Sequence, residues 1–506
     1  MRGGAAAGIP LLITGTTAFP WLGAKGAGAQ EALSELVIDL SAEPSTLDPA
    51  LVYEVDGWSI VHSIYDSLVQ FGPDGSVQPV LAQSMEQVDP LIWEITLREG
   101  LTFHNGEPVN GQSIRFSIEH ILDPNTKTQI AGNFQVIAEI EDINDLTVRL
   151  HLANPAPWLP SQIAPWLALL PPVYASDPAN DFASNPVGTG PFVFESWERG
   201  SRVNVRQNPD YFAASPKGRP VAESVSFRFV TDAVTRVADV ISNTSQIARG
   251  IPVDQVEAVS AAGGTIAEAI AGCAFVRIPT DVEPFSDPRV RLAMNHAVDV
   301  DAIIAALLAG NGVRLANLFV PGGLGYDDTL AAHAFDLELA RSLLAEAGYP
   351  DGFSTTLAYT PGDQVTAIEA IAGQLAQVGI TVDVQPVELA TFNATWTDQE
   401  AAPLRMLTWR PLFDPFTLLN LVISNTGFLS RYDDPDAQSL IDEGAVETDA
   451  EKRNKIYQEL GRVMHDSPAA IYLWNLTSIY GESAAAPVWT PRPDDWILPL
   501  DASDNA

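Results

Sequence analysis

Apolar and polar positions along this chain follow two periods. Leu36-Val37-Ile38-Asp39-Leu40 is a short, almost unbroken apolar run, as in a strand buried on both faces. Trp93, Ile95 and Leu97 alternate with Glu94 and Thr96, and Leu146, Val148, Leu150 and Leu152 alternate with Thr147, Arg149 and His151. Successive strand side chains point to opposite faces, so each run predicts a half-buried strand. Val225, Phe227 and Phe229 repeat the pattern.

Helical spacing dominates the second half. Asp287-Pro288 supplies an N-cap and a proline at the first helical position, and Val290, Ala293, Met294, Ala297 and Val298 mark one face. Asp336 can cap a second helix with the face Leu337, Ala340, Leu343, Leu344 and Ala347, closed by Gly348. Ile368, Ile371, Leu375 and Val378 predict a third, ended by Gly379, after which Ile380, Val382 and Val384 alternate as a strand. Helix and strand in such succession argue an α/β lobe. No internal repeat or low-complexity linker interrupts the chain.

Length adds to this picture: 506 residues exceed one simple core and predict two or three lobes. A hydrophobic fraction of 46% with 18% charged residues is that of a folded globular protein. Asp and Glu number 64 against 27 Lys and Arg, a net charge of −37. Nucleic acids and anionic membranes call for a basic surface, so both are excluded as partners.

At the N-terminus Arg2 precedes an apolar run from Ile9 to Trp21, and Ala27-Gly28-Ala29 before Gln30 is a small-x-small cleavage pattern. Residues 1–29 therefore read as a cleavable secretory signal peptide. A membrane anchor is the alternative, but the run is short and holds Pro10 and Pro20. The single cysteine, Cys273, precludes an intrachain disulfide; with none directly after the signal, no lipid attachment point is expected. The expected location is the periplasm. Cys273 lies in the apolar stretch Ala271 to Val276 and reads as inert core.

Catalytic and metal chemistry find little support. The histidines at 62, 104, 120, 151, 296, 333 and 465 fall in no HExxH, HxH or Cys-x-x-Cys spacing, so no protein-only metal site is expected. No G-x-S-x-G elbow occurs. Gly188-Thr189-Gly190-Pro191 leads into strand-like Phe192-Val193-Phe194, where a phosphate loop needs a lysine and a helix N-terminus. Pro321-Gly322-Gly323-Leu324-Gly325 also lacks the lysine, and Asp433-Asp434 and Asp494-Asp495 adjoin prolines in turn-like contexts. The expectation is a protein that is not an enzyme and carries no cofactor.

Eight ordered segments carry a resemblance. They are Pro44-Ser45-Thr46-Leu47-Asp48-Pro49, Ile64-Tyr65-Asp66-Ser67-Leu68-Val69, Pro79 to Met85, and Leu97-Arg98-Glu99-Gly100-Leu101-Thr102-Phe103-His104-Asn105-Gly106. Pro186-Val187-Gly188-Thr189-Gly190-Pro191-Phe192, Asn208-Pro209-Asp210-Tyr211-Phe212, Asp287 to Asp299 and Ala340 to Tyr349 complete the set. Together they resemble the solute-binding proteins, family 5, of peptide, nickel and opine ABC importers. The resemblance implies a type II, cluster C periplasmic-binding-protein fold: two α/β lobes joined by crossing strands, ligand enclosed by hinge closure. It places lobe I at 31–75, 184–285 and 470–506, an inserted subdomain at 76–183, and lobe II at 286–469. It also implies a monomer that serves a membrane permease and ATPase.

The same resemblance places a cleft loop at Thr408-Trp409-Arg410-Pro411-Leu412-Phe413-Asp414-Pro415. Peptide-binding members carry, three residues after the Trp, an Asp that pairs with the peptide's α-amino group; Leu412 stands there. Losing that charge-assisted bond costs roughly 1.5–3 kcal/mol, which disfavours ordinary di- and oligopeptides. Trp409 and Phe413 match cleft aromatics of nickel-type members, and Trp58 matches another cleft position, with Tyr53 beside it. The stretch Ile163 to Pro172, however, lacks the arginines that hold a nickel chelator. Arg410 is a potential bidentate carboxylate clamp, with Trp409 able to stack on a ligand; alternatively it pairs with Asp414 or faces solvent. Arg249 and Arg277 are weaker candidates. The expected ligand is small, polar and carboxylate-bearing, with peptide or nickel-chelate binding as alternatives. A periplasmic hydrolase and a chemoreceptor accessory are competing classes sharing the fold.

Overall fold

The computed structural model describes residues 33–72, 76–360, 365–396, 398, 401–409, 414–427, 429–487, 489–492 and 494–501. The proposed signal peptide lies outside the described residues.

Ten strands form one sheet: β1 (Leu33–Leu40), β2 (Phe192–Glu198), β3 (Arg202–Gln207), β4 (Ala222–Phe229), β5 (Ile247–Arg249), β6 (Thr265–Arg277), β7 (Phe353–Tyr359), β8 (Ile380–Pro386), β9 (Leu404–Trp409) and β10 (Ala470–Glu482). Their order is β8-β7-β9-β6-β10-β5-β1-β4-β3-β2. The apolar run 36–40 lies in β1, which is parallel to both β4 and β5 and buries Leu36, Ile38 and Leu40 completely. On the opposite face Val37 is half-buried and Asp39 buried, so both faces are covered, as a central parallel strand requires. The alternating runs at 93–97 and 147–152 are neighbours in a separate four-stranded antiparallel sheet.

Helices follow the caps seen in the sequence. Seven are used below: α1 (Val55–Ile64), α2 (Leu159–Trp166), α3 (Pro288–His296), α4 (Leu337–Glu346), α5 (Val365–Ala376), α6 (Pro435–Val446) and α7 (Ala450–Asp466). The Asp287 carboxylate accepts the Arg289 N–H, and Asp336 accepts those of Glu338 and Leu339. Each satisfies amide groups that the first helical turn leaves without a partner. Gly348 and Gly379 take φ values of +94° and +90°, left-handed conformations suited to a helix stop.

Apolar residues segregate into separate cores. One cluster gathers Leu36, Ile38, Trp58, Trp158, Trp166 and Phe227; others gather Val276, Met294, Ile368 and Leu404, and Phe275, Leu418, Leu419 and Tyr457. β6 and β10 run from the first of these regions to the others, paired antiparallel from Thr265↔Glu482 to Arg277↔Ala470. Their register slips between Ile270 and Gly272 and again between Cys273 and Phe275. Slips of this kind bend and twist a ribbon locally, here midway between the lobes.

Candidate functional site

On the first lobe the candidate wall starts with α1. The helix is buried on every side, including the side chains of Asp56 and His62. Gly57 is obligatory there, since a Cβ would stand 2.5 Å from Val52 Cγ1. Trp58 donates its indole N–H to the Val52 carbonyl at 2.8 Å and meets Trp166 edge-on, with ring centroids 5.0 Å apart. Tyr53 lies 6.1 Å from the Trp166 ring, and its hydroxyl accepts the Gln129 N–H at 2.6 Å. Tyr53 and Trp58 thus converge on Trp166, at the end of α2. The Trp166 indole N–H has no acceptor among the described residues.

Gly188 and Gly190 pack against the end of α1. A Cβ on Gly188 would lie 2.1 Å from the Ile64 carbonyl oxygen, and the Gly190 amide donates to that oxygen at 2.8 Å. The Gly-Thr-Gly segment serves close backbone approach.

On the second lobe Trp409 ends β9 opposite Cys273. It is half-buried and borders a cavity shared with Phe319, Leu324, Asp414, Thr417 and Leu418. Burial pushes the Cys273 thiol up to about 12, so it stays protonated. Arg410, Leu412 and Phe413 lie outside the described residues. Asp414 is already engaged: Arg453 holds it with two bonds, of 2.5 and 3.0 Å, and the Phe416 amide donates to it at 2.9 Å. Burial works against the Arg453 charge, yet Asp414 more than offsets it and keeps the guanidinium above its ordinary value.

The two weaker candidates are occupied elsewhere. Arg249 is buried against Asp495, with Asp56 at 3.5 Å. Arg277 donates to the carbonyls of Trp396, Leu429 and Pro403, and burial together with Arg405 and Arg431 lowers it to about 9. Among the described residues no group of three His, Cys, Asp or Glu side chains is placed to hold a metal.

Sequence reasoning missed the contacts that join residues 158–162 to residues 416–445. Trp158 stacks on Phe416, with ring centroids 3.6 Å apart and planes 6° from parallel, and donates its indole N–H to the Ala445 carbonyl at 3.1 Å. The Thr417 hydroxyl donates to Gln162 Oε1 at 2.8 Å, and Asn133 donates to the same oxygen at 3.0 Å. One signal was present: Trp158 and Gln162 stand four apart, one helical turn, with Gln162 a polar residue in an apolar run.

Comparison with known proteins decides the family. Residues 76–430 match "Bacterial extracellular solute-binding proteins, family 5 Middle", well over half of the chain. The chain belongs to this family. As a family 5 solute-binding protein it is the solute-binding component of an ABC importer. It is 29% identical over 386 residues to the glutathione-binding protein GsiB of Salmonella typhi, covering 74% of this chain and 72% of that protein. Among solved structures, the periplasmic binding protein DppA from Helicobacter pylori with peptide STSA superposes with a TM-score of 0.81 at 24% identity, over 93% of this chain and 97% of that one. AgaA from A. tumefacien R10, in complex with agropinic acid, gives 0.79 at 28% identity, over 91% and 96%. The fold of this solute-binding protein is accordingly the two-lobe periplasmic-binding-protein fold. Family members are periplasmic, and among the described residues no helix is long and apolar enough to cross a membrane.

Proposed function

We propose that this protein is exported to the periplasm, captures a small polar ligand bearing a carboxylate between its lobes, and delivers it to the permease. A modified peptide or an opine is the ligand class. The observation that carries this reading is the state of Asp414. With Leu412 where peptide-binding relatives carry an acid, Asp414 is the nearest carboxylate in the loop, and Arg453 already holds both its oxygens. A free α-amino group therefore lacks its usual partner in this loop, whereas Arg410, next to Trp409 in the sequence, supplies a guanidinium suited to gripping a carboxylate. Relatives named for glutathione and agropinic acid support the same class. Capture without turnover accords with the absence of a catalytic motif in the sequence.

Mass spectrometry of the molecule released from protein purified without refolding tests this. One anion-bearing compound per chain is expected; an unmodified free-amine dipeptide at one per chain would overturn the reading.

A further inference from the structure

We infer that Trp158, Gln162, Phe416 and Thr417 form a clasp that sets how firmly the two lobes close, and hence ligand affinity. This rests on the two-lobe capture reading above. Trp158 belongs to the first core cluster, and Phe416, two residues before Leu418 of the cluster that holds Phe275 and Tyr457, packs its ring against that first core. Their rings are stacked at 3.6 Å, and the Trp158 N–H reaches a carbonyl at the end of α6. Gln162 is fully buried, so its carbonyl oxygen depends on the hydroxyl that Thr417 brings from the opposite lobe and on the Asn133 amide. The second-lobe half is rigidly presented, because Arg453 pins Asp414 and Asp414 in turn accepts the Phe416 amide. Closing the hinge therefore joins two prepared surfaces.

Interactions made only when the lobes meet shift the equilibrium toward the closed form by their own free energy. An aromatic stack and a buried hydrogen bond together are worth about a tenfold change in that ratio, or about 1.4 kcal/mol.

The test reads the lobe separation directly. Spin labels are placed through Glu139→Cys and Glu451→Cys, exposed positions on opposite lobes, while native Cys273 is fully buried and stays unlabelled. Pulsed electron-electron double resonance on ligand-stripped protein should show Trp158→Ala and Phe416→Ala each depleting the short-distance population severalfold relative to the long one, short of the tenfold worth of stack and hydrogen bond together. The double variant should match Trp158→Ala, since no stack is then left for Phe416→Ala to remove. Thr417→Val, which deletes only one hydroxyl, guards against loss of fold and should shift the distances the same way. Unchanged distances in Thr417→Val and both alanine variants overturn the clasp, as does simple addition in the double variant. A wrong ligand assignment would appear in the mass spectrum and leave these distances unaffected, so the two failures are distinguishable.

Discussion

Arg453 shows how one contact redirects a functional argument. It holds both oxygens of Asp414, so the acid of the loop that follows Trp409 already has a cationic partner. Arg410→Ala should weaken binding of the recovered anion ten- to hundredfold, the worth of a charge-assisted bond at roughly 1.5–3 kcal/mol; calorimetric titration giving an unchanged Kd would remove Arg410 from the site. A second residue governs pH response. His333 stacks on His465 at 3.9 Å and meets His296 at 5.1 Å, with the Arg314 guanidinium on its backbone carbonyl. Burial first, then the charges of those neighbours, hold His333 down at about 3. Its unfolded value is near 6.5, so the neutral folded form contributes stability fully present above that pH. The contribution is lost as pH falls from about 6.5 toward 3, at up to about 1.4 kcal/mol per pH unit. Urea midpoints measured at pH 7, 6, 5 and 4 should fall less steeply for His333→Gln than for the native protein; parallel curves would exclude His333 as the source.

At the scale of elements, what the sequence made legible followed local rules. The run 36–40, the alternations at 93–97 and 147–152, and the Asp287 and Asp336 caps all depend on neighbours a few residues away, and each appears where the pattern placed it. β6 and β10 were not legible, because each passes from one core to another and its burial pattern changes along its length, masking the period. The clasp was illegible for a related reason: Gln162 and Thr417 are 255 residues apart, and only the tertiary fold makes them neighbours. Arg249 and Arg277 were singled out by type and by their place near the lobe crossovers, while their buried partners could not be foreseen. The Gly-Thr-Gly segment offers a test at this scale. Gly188→Ala drives a methyl into the Ile64 carbonyl and should cost about 3 kcal/mol, read as a lowered urea midpoint. Gly132→Ala, where nothing lies within 4 Å, should be neutral or slightly stabilising. Equal midpoints for the two variants would contradict the close approach.

Taken whole, the molecule combines a heavily acidic surface with buried ion pairs. A net charge of −37 makes the folded form repel itself, and screening falls off over about 8 Å at physiological salt. Raising sodium chloride from low to half-molar concentration should therefore raise the Tm; a Tm independent of salt would mean that the charges are already compensated locally. The central position of β10 has a consequence for biosynthesis. This strand is the last of the ten in the chain, yet it lies between β5 and β6 and is hydrogen-bonded to both. Until residues 470–482 emerge from the ribosome, β5 and β6 lack the strand that lies between them and joins the two halves of the sheet. Such long-range pairing is slow to form, so the nascent chain stays unfinished through most of its synthesis, the condition in which a polypeptide can still be threaded across a membrane.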